Sequence, residues 1–326
     1  MAGPTRSNNV TTTAWDGVTH AGNGYDSAGT AGFIPEIWSG KMRENFYNAT
    51  VFGDIANTDH EGEIKGYGDN VVIRTIPTMT INDYEIGQKL DYEQPTSPSV
   101  ELAIDRAKSF AFQCDDVEAM QMDINQMDVW SKASGEQMKV TIDTDVLANI
   151  YADAAAENSG ATAGKISGDI NLGATAADGS AAIQLTKTTV IDYIIQHNLC
   201  LDEYNCPEDG RFMVLPAWAC ATIKQSDLKD ASITGDATSP LRNGRVGVID
   251  RTTIYSSNSI AHATETAVEV YHVIAGHKKA TTFASQMVKM ETLPNPYSFG
   301  NLVRGLNVYG FKVVDPTLLT HGVIKK

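Results

Sequence analysis

Hydrophobic positions change period several times along this chain, and each change marks a candidate element. In FIPEIWSGKMRENFYNATVF, residues 33 to 52, Ile37, Met42 and Phe46 fall close to helical spacing, which predicts an amphipathic helix. From 61 to 114 the period becomes two. NVVIRTIPTMTI alternates until Pro77, and VELAIDRAKSFAFQC alternates again with Val100, Leu102 and Ile104 on one face. The intervening NDYEIGQKLDYEQPTSP is polar and rich in turn residues, so the simplest reading is a long hairpin with proline in each arm and a polar tip. An isolated two-stranded hairpin is marginal in water, so this one is expected to lie on something, a neighbouring subunit being the natural candidate.

Helical spacing returns after Asp115. Met138, Ile142, Val146 and Ile150 recur every four residues, with Leu147 and Tyr151 widening the stripe, and a long helix is expected within 115–156 even if Gly135 bends it. Residues 154 to 182 are mostly Ala, Gly and Ser with few anchors and read as a surface loop. A second helix is expected over Thr188–Leu201, its apolar stripe made by Val190, Ile191, Ile194, Ile195 and Leu199, with Thr189 and Asp192 as a weak capping box. Arg211–Leu215 then reads as a strand, and Pro216 can open the next helix because its missing N–H would be an orphan there. Gly-bounded strands follow in NGRVGVIDRTTIYSSNSI and in the closing segment, where Gly276, Gly305 and Gly310 mark the bends. Residues 1 to about 32 carry little to bury and are expected to stay mobile unless a neighbour orders them.

Charge and composition narrow the function classes. With 326 residues, 42% hydrophobic and 20% charged, the chain is globular and long enough for a large core. Its 40 acidic against 25 basic residues leave a net charge of −15, which disfavours gripping nucleic acid or anionic membrane but not enclosing DNA. Cys114, Cys200, Cys206 and Cys220 form no CxxC pair and read as buried thiols of a reducing cytoplasm. The start, MAGPTRSNNVTTTAWDG, lacks the apolar run of a signal peptide, and no segment approaches ~20 apolar residues. The expectation is a protein made in the cytoplasm, soluble or self-assembling.

Catalytic patterns do not emerge. The histidines His20, His60, His197, His262, His272, His277 and His321 give no HExxH spacing, and only His272 and His277, flanking a strand-turn, could align two imidazoles. AGNGYDSAG near residue 21 has glycines but no strand before it, and neither a GxxxxGK[ST] loop nor a GxSxG elbow occurs. Asp115 and Asp116 at a strand-to-helix transition could bind a cation or act as an acid–base pair, but acids favour the first helical turn on electrostatic grounds alone. No catalytic residue, cofactor site or metal ligand is assigned.

The order of these segments, above all VIDYIIQHNLCLDEYNCPEDGRFMVLPAWACATI, GRVGVIDRTTIYSSNSI and IAGHKKATTFA with VYGFKVVDPTLL, resembles the major capsid (coat) proteins of tailed bacteriophages over roughly residues 33 to 320. That resemblance implies the Hong-Kong-ninety-seven-type fold: α+β, with an N-terminal arm, an extended β-hairpin loop, a long spine helix, and peripheral and axial domains. It places the arm at 1–32, an N-terminal helix region at 33–60, the extended loop at 61–114, the peripheral domain with its spine helix at 115–156, a mainly axial part at 157–290, and C-terminal strands returning to the peripheral domain at 291–326. It implies a non-enzymatic shell protein assembling with itself as hexamers and pentamers into an icosahedral head around phage double-stranded DNA, in the virion, without a membrane. Expected partners are a separate scaffolding protein, since the stretch before Phe33 is too short for a built-in scaffold, a portal protein, and decoration or cement proteins. Some relatives crosslink a loop Lys to an Asn of the peripheral domain; Lys89 with Asn295 or Asn301 would be the counterparts here, though a tip Lys is usually just solvated. Encapsulin-like shells of cellular compartments share the fold, and a soluble α/β enzyme with a dispersed site is the remoter alternative.

Overall fold

The computed structural model describes residues 10–13, 19–22, 50–59, 70–77, 79–89, 92–116, 126–176, 179–226, 247–265 and 268–326. The chain divides into two compact units, residues 1–44 and 45–326. In the first, Val10–Thr13 (β1) and Thr19–Gly22 (β2) pair antiparallel, Val10 opposite Gly22 and Thr13 opposite Thr19. Part of the segment expected to stay mobile unless a neighbour orders it thus pairs as two strands, consistent with the β preference of its threonines. The helix expected over 33–52 falls mainly outside the described residues.

Among the described residues the second unit has two larger sheets, a two-stranded ribbon and one long helix. A seven-stranded mixed sheet runs in the order Ile183–Gln184 (β6), Leu319–Lys325 (β14), Val268–His277 (β11), Arg211–Leu215 (β7), Thr252–Ser256 (β9), Val248–Ile249 (β8), with His262–Glu265 (β10) also on β11. Pairs β14–β6 and β7–β9 are parallel, the rest antiparallel. A three-stranded antiparallel sheet sets Gly300–Val313 (β13) between Thr281–Pro294 (β12) and Arg106–Asp115 (β5). The return of the chain is therefore divided. Strands β12 and β13 go to the three-stranded sheet, while β14 joins the larger one.

Burial explains why β7 reads as a continuous apolar run. All five of its residues are buried. Phe212 and Val214 face one cluster, with Ile142, Val146, Leu147 and Ile150 of the long helix Gln126–Ile150, Phe283 of β12 and Tyr309 of β13. Met213 and Leu215 face the other, with Val190, Tyr193 and Ile194 of the helix Thr189–Glu203 and Ala219, Cys220 and Ile223 of the helix Ala217–Gln225. A strand covered on both faces has no polar side to alternate with. Among the described residues the α-helices are α1 (Phe52–Ile55), α2 (Gln126–Ile150), α3 (Thr189–Glu203) and α4 (Ala217–Gln225). Helix α2, about 38 Å long at 1.5 Å per residue, carries the expected stripe and continues unbroken through Gly135.

Of three local expectations, one holds and two shift. Pro216 caps α4 as anticipated, its carbonyl accepting from Ala219 N (3.0 Å) and Cys220 N (3.2 Å). The N-cap of α3, however, is Thr188, whose side chain makes no capping bond; the turn before it is closed by Thr186, whose Oγ1 accepts from Thr189 N at 3.3 Å while Thr189 Oγ1 accepts from Thr186 N at 2.9 Å. The 154–182 stretch is irregular but not loosely attached. Ala163, Ile170 and Leu172 are buried against Cys200 of α3, and Asn158 Nδ2 donates to Thr317 O at 2.7 Å.

Candidate assembly interface

The hairpin expected at 61–114 begins as a paired ribbon. Asn70–Arg74 (β3) and Ser99–Ala103 (β4) run antiparallel, Asn70 opposite Ala103 and Arg74 opposite Ser99. Thr75 N and Oγ1 both donate to Pro98 O, at 3.1 and 2.9 Å, closing the ribbon where the prolines end pairing. Beyond this point the chain leaves the body. Described residues 79–89 and 92–98 are all exposed. The tip is less polar than its composition suggests: Ile76, Ile81, Ile86 and Tyr92 are each more than nine-tenths exposed, with Met79 and Tyr84 more than half. Apolar side chains left in water at this density on one loop mark a contact surface.

On the body, two open grooves flank Phe110. One, of about 380 Å³, lies between β5 and α2 and is lined by Lys108, Phe110, Ser134 and Met138 among others. The other, about 360 Å³, crosses the three-stranded sheet at Phe110, Lys289, Glu291, Arg304 and Gly305. Phe110 lies so close over Gly305 that a Cβ there would sit 2.3 Å from its ring. Lys108, Lys289 and Arg304 give the grooves a basic excess over Glu291, whereas the loop from 75 to 98 carries Asp83, Glu85, Asp91 and Glu93 against Lys89. The chain thus offers an acidic, apolar projection and a basic, apolar receptacle.

A second projection is the turn joining β12 and β13. Asn295 folds it, its Oδ1 accepting from Tyr297 N at 2.9 Å and its Nδ2 donating to Ser298 Oγ at 2.7 Å. Gln113 of β5 braces Ser298 Oγ at 2.8 Å, and Tyr297 and Phe299 point into solvent.

The residues singled out for chemistry are dispersed. His272 and His277 do not meet. His272 Nδ1 lies 2.9 Å from His321 Nε2 on β14, while His277 Nε2 lies 2.7 Å from Asp209 O. Asp115 ends β5, and Asp116 N donates to Phe299 O at 3.4 Å. Cys114, Cys200, Cys206 and Cys220 are buried, and burial pushes the Cys200 thiol up to about 12. Among the described residues no group of three or more His, Cys, Asp or Glu side chains could hold a metal ion, and no helix is long and apolar enough to cross a membrane. Lys89 is exposed on the loop; Asn295 is engaged in its turn, and Asn301 lies in β13 opposite Pro294 and Cys114. The glycines near residue 21 lie on and beyond β2, and those past Gly22 fall outside the described residues.

Sequence reasoning missed a buried acid. Asp143 of α2 accepts from Val51 N at 3.0 Å and Phe52 N at 2.9 Å, satisfying the free N–H groups that open α1. Burial raises its carboxyl above the usual range, and the two backbone donors oppose the rise. An acid one position off the Ile142–Val146 stripe was the available signal.

Comparison with known proteins agrees with this architecture. The sequence profile of the phage capsid protein family matches residues 99–320, more than half of the chain. No curated protein matches the sequence. The solved structure of Mycobacterium phage Che8 superposes with a TM-score of 0.70 at 27% identity, over 90% of this chain and 98% of that one. The capsid of cyanophage P-SCSP1u gives 0.65 at 17% identity, over 90% and 94%. The mature capsid of bacteriophage PhiM1 gives 0.65 at 15%, over 90% and 92%. These last two share the fold alone. A long helix joining two sheets, a loop projecting from its own ribbon, and a profile match through both sheets place the chain: it belongs to the phage capsid protein family, with the Hong-Kong-ninety-seven-type fold of tailed-phage major capsid proteins and a structural role in the capsid.

Proposed function

We propose that this protein is the repeating unit of an icosahedral phage head, assembling as hexamers and pentamers that enclose double-stranded DNA. The observation that carries the reading is the uncovered loop. Ile76, Ile81, Ile86 and Tyr92 stand in solvent on one chain, and burying such side chains is worth roughly 1.5–3 kcal/mol each. The basic grooves beside Phe110 have complementary charge and supply a seat for the loop of an adjacent copy. A loop and a projecting turn on every subunit make many modest contacts that become strong together, because each forms at high effective concentration once its neighbours are bound. The assignment of 1–32 to an arm, 115–156 to the peripheral part and 157–290 mainly to the axial part belongs to this reading, as does a separate scaffolding protein.

Negative-stain microscopy with size-exclusion chromatography of the purified chain, alone and with its scaffolding protein, tests it. Closed shells or capsomers are the expected result. A stable monomer or dimer under both conditions overturns the reading, and shells that hold enzyme cargo in place of a genome favour the encapsulin alternative.

A further inference from the structure

The root of the projecting loop is held by an arrangement that the packing of two sheets does not require. The chain leaves β4 at Ala103 and crosses directly over Gly310 of β13. A Cβ on Gly310 would lie 2.2 Å from Ala103 O and 3.0 Å from Ile104 Cα. Only Ile104 and Asp105 then separate the ribbon from β5, whose first residue, Arg106, is opposite Tyr309. Beneath the crossing, Leu102 and Ile104 pack on Ala284 and Val308.

At this point three side chains from three elements converge. Arg106 Nη1 donates to both carboxylate oxygens of Asp145 on α2, at 2.8 Å each. Tyr309 of β13, buried to its ring, donates its hydroxyl to Asp145 Oδ2 at 2.7 Å. The Arg106 guanidinium also lies 4.5 Å from the ring centre of Phe311, a stacking that suits a planar cation. Burial alone would raise the Asp145 carboxyl, yet the Tyr309 hydroxyl and Arg106 outweigh it and hold it below the usual range.

The geometry points to Arg106, Asp145 and Tyr309 as the joint that fixes the direction in which the 75–98 loop leaves the body, and so as positioning residues for assembly. This rests on the assembly reading above. Apolar contacts under the crossing resist separation of ribbon and sheet but are non-directional. A partly buried, charge-assisted pair with a third donor fixes angle as well as distance. The lever is long. Ribbon and loop reach up to roughly 50 Å from Ala103. A rotation of about 5° at the root therefore moves the tip by roughly 4 Å, about a full atomic contact distance. A loop aimed that far off would meet a neighbour's groove out of register.

The test measures aim and assembly separately, on the full chain. Spin labels on Ile86→Cys in the loop and Lys139→Cys on the exposed side of α2 report the loop-to-body distance by pulsed electron resonance in dissociated subunits. Asp145→Asn and Arg106→Gln are each expected to broaden that distance distribution and to reduce the yield of closed shells, with the thermal transition still cooperative. The double variant is expected to do no more than either single, since one joint is broken once. Arg106→Lys, which keeps the charge and loses the stacking, should fall between. Distance distributions unchanged from the parent in both single variants overturn the joint, as do additive effects in the double. A parent chain that builds no shells or capsomers, alone or with its scaffolding protein, refutes the assembly reading instead, and the distance measurement still judges the joint.

Discussion

His197 enters the core of α3 with one ring nitrogen 2.8 Å from Thr320 Oγ1, while its Nε2 has no hydrogen-bond partner among the described residues. Nearby, His272 and His321 share a nitrogen–nitrogen contact that one proton at most can bridge, with Tyr151 stacked 4.3 Å from His272 and 5.0 Å from His321. Burial pushes His197 down to about 3, and burial followed by the charge of His272 pushes His321 down to about 4. Both lie below the 6.5 of the unfolded chain, so as pH falls the unfolded state takes up protons first. The stability these rings contribute is complete above about pH 6.5 and is lost progressively as pH falls toward about 4, at roughly 1.4 kcal/mol per pH unit per group. The expected outcome is a melting temperature that drops steeply between about pH 6.5 and 4.5, with a shallower drop in His321→Gln. Parallel curves for the two proteins in calorimetry would show that His321 does not contribute to the slope. Strand parity explains why His272 and His277 part company: five positions apart, they point to opposite faces. His272 faces Val323 and meets His321 on the diagonal, two residues along β14.

At the scale of elements, the 75–98 loop and the body beneath it have separable roles. Ile81 and Ile86 touch little of their own chain. Replacing both with Asp is expected to leave the melting temperature of dissociated subunits within about 2 °C, as surface changes usually do, while abolishing shell formation in light scattering. A large loss of subunit stability would mean that the loop packs on its own body. Legibility from sequence follows the same division. The ribbon, the long helix and β7 were readable because one periodicity governs each, and Val71, Leu102 and Ile104 bury the face that alternation assigns. The tip was read as polar because its isoleucines and tyrosines are spaced among acids, and on the proposed assembly their burial would come from a second copy, which leaves no periodic trace. The stripe of α3 holds at Val190, Ile191 and Ile194 but fails at one edge for a local reason. Ile195 and Leu199 are about half exposed, whereas His197 and Asn198 are buried in their stead. Asn198 Nδ2 donates to Asp250 O at 2.7 Å and its Oδ1 accepts from Thr252 Oγ1 at 2.6 Å. Those bonds cross more than fifty residues, and a polar residue with distant partners looks like solvent-facing sequence. The joint of Arg106, Asp145 and Tyr309 was illegible for the same reason; Gly276, Gly305 and Gly310, expected at bends, instead lie within β11 and β13, and Gly310 is small because Ala103 crosses over it.

For the whole molecule, charge and apolar surface act in opposite directions on association. Each copy carries 40 acidic and 25 basic residues, so copies repel at long range. The contacts that would join them, the loop isoleucines and tyrosines and the turn bearing Tyr297 and Phe299, are apolar and short-ranged. Local complementarity between the acidic loop and Lys108, Lys289 and Arg304 works against the general repulsion, but these are rim charges of the kind that contribute about 0–1 kcal/mol each. The screening length shrinks from about 10 Å at 0.1 M salt to about 3 Å at 1 M, which removes the long-range repulsion, whereas apolar burial is not weakened by added salt. Repulsion summed over every pair of neighbours in a shell outweighs a few rim pairs. Assembly is therefore expected to begin at a lower protein concentration in about 0.5 M sodium chloride than in about 0.05 M. Light scattering across a dilution series at the two salts reads the onset directly. Shells that come apart as salt is raised would reverse the ranking, with the ion pairs between loop and groove holding the lattice and the isoleucines only filling space between them.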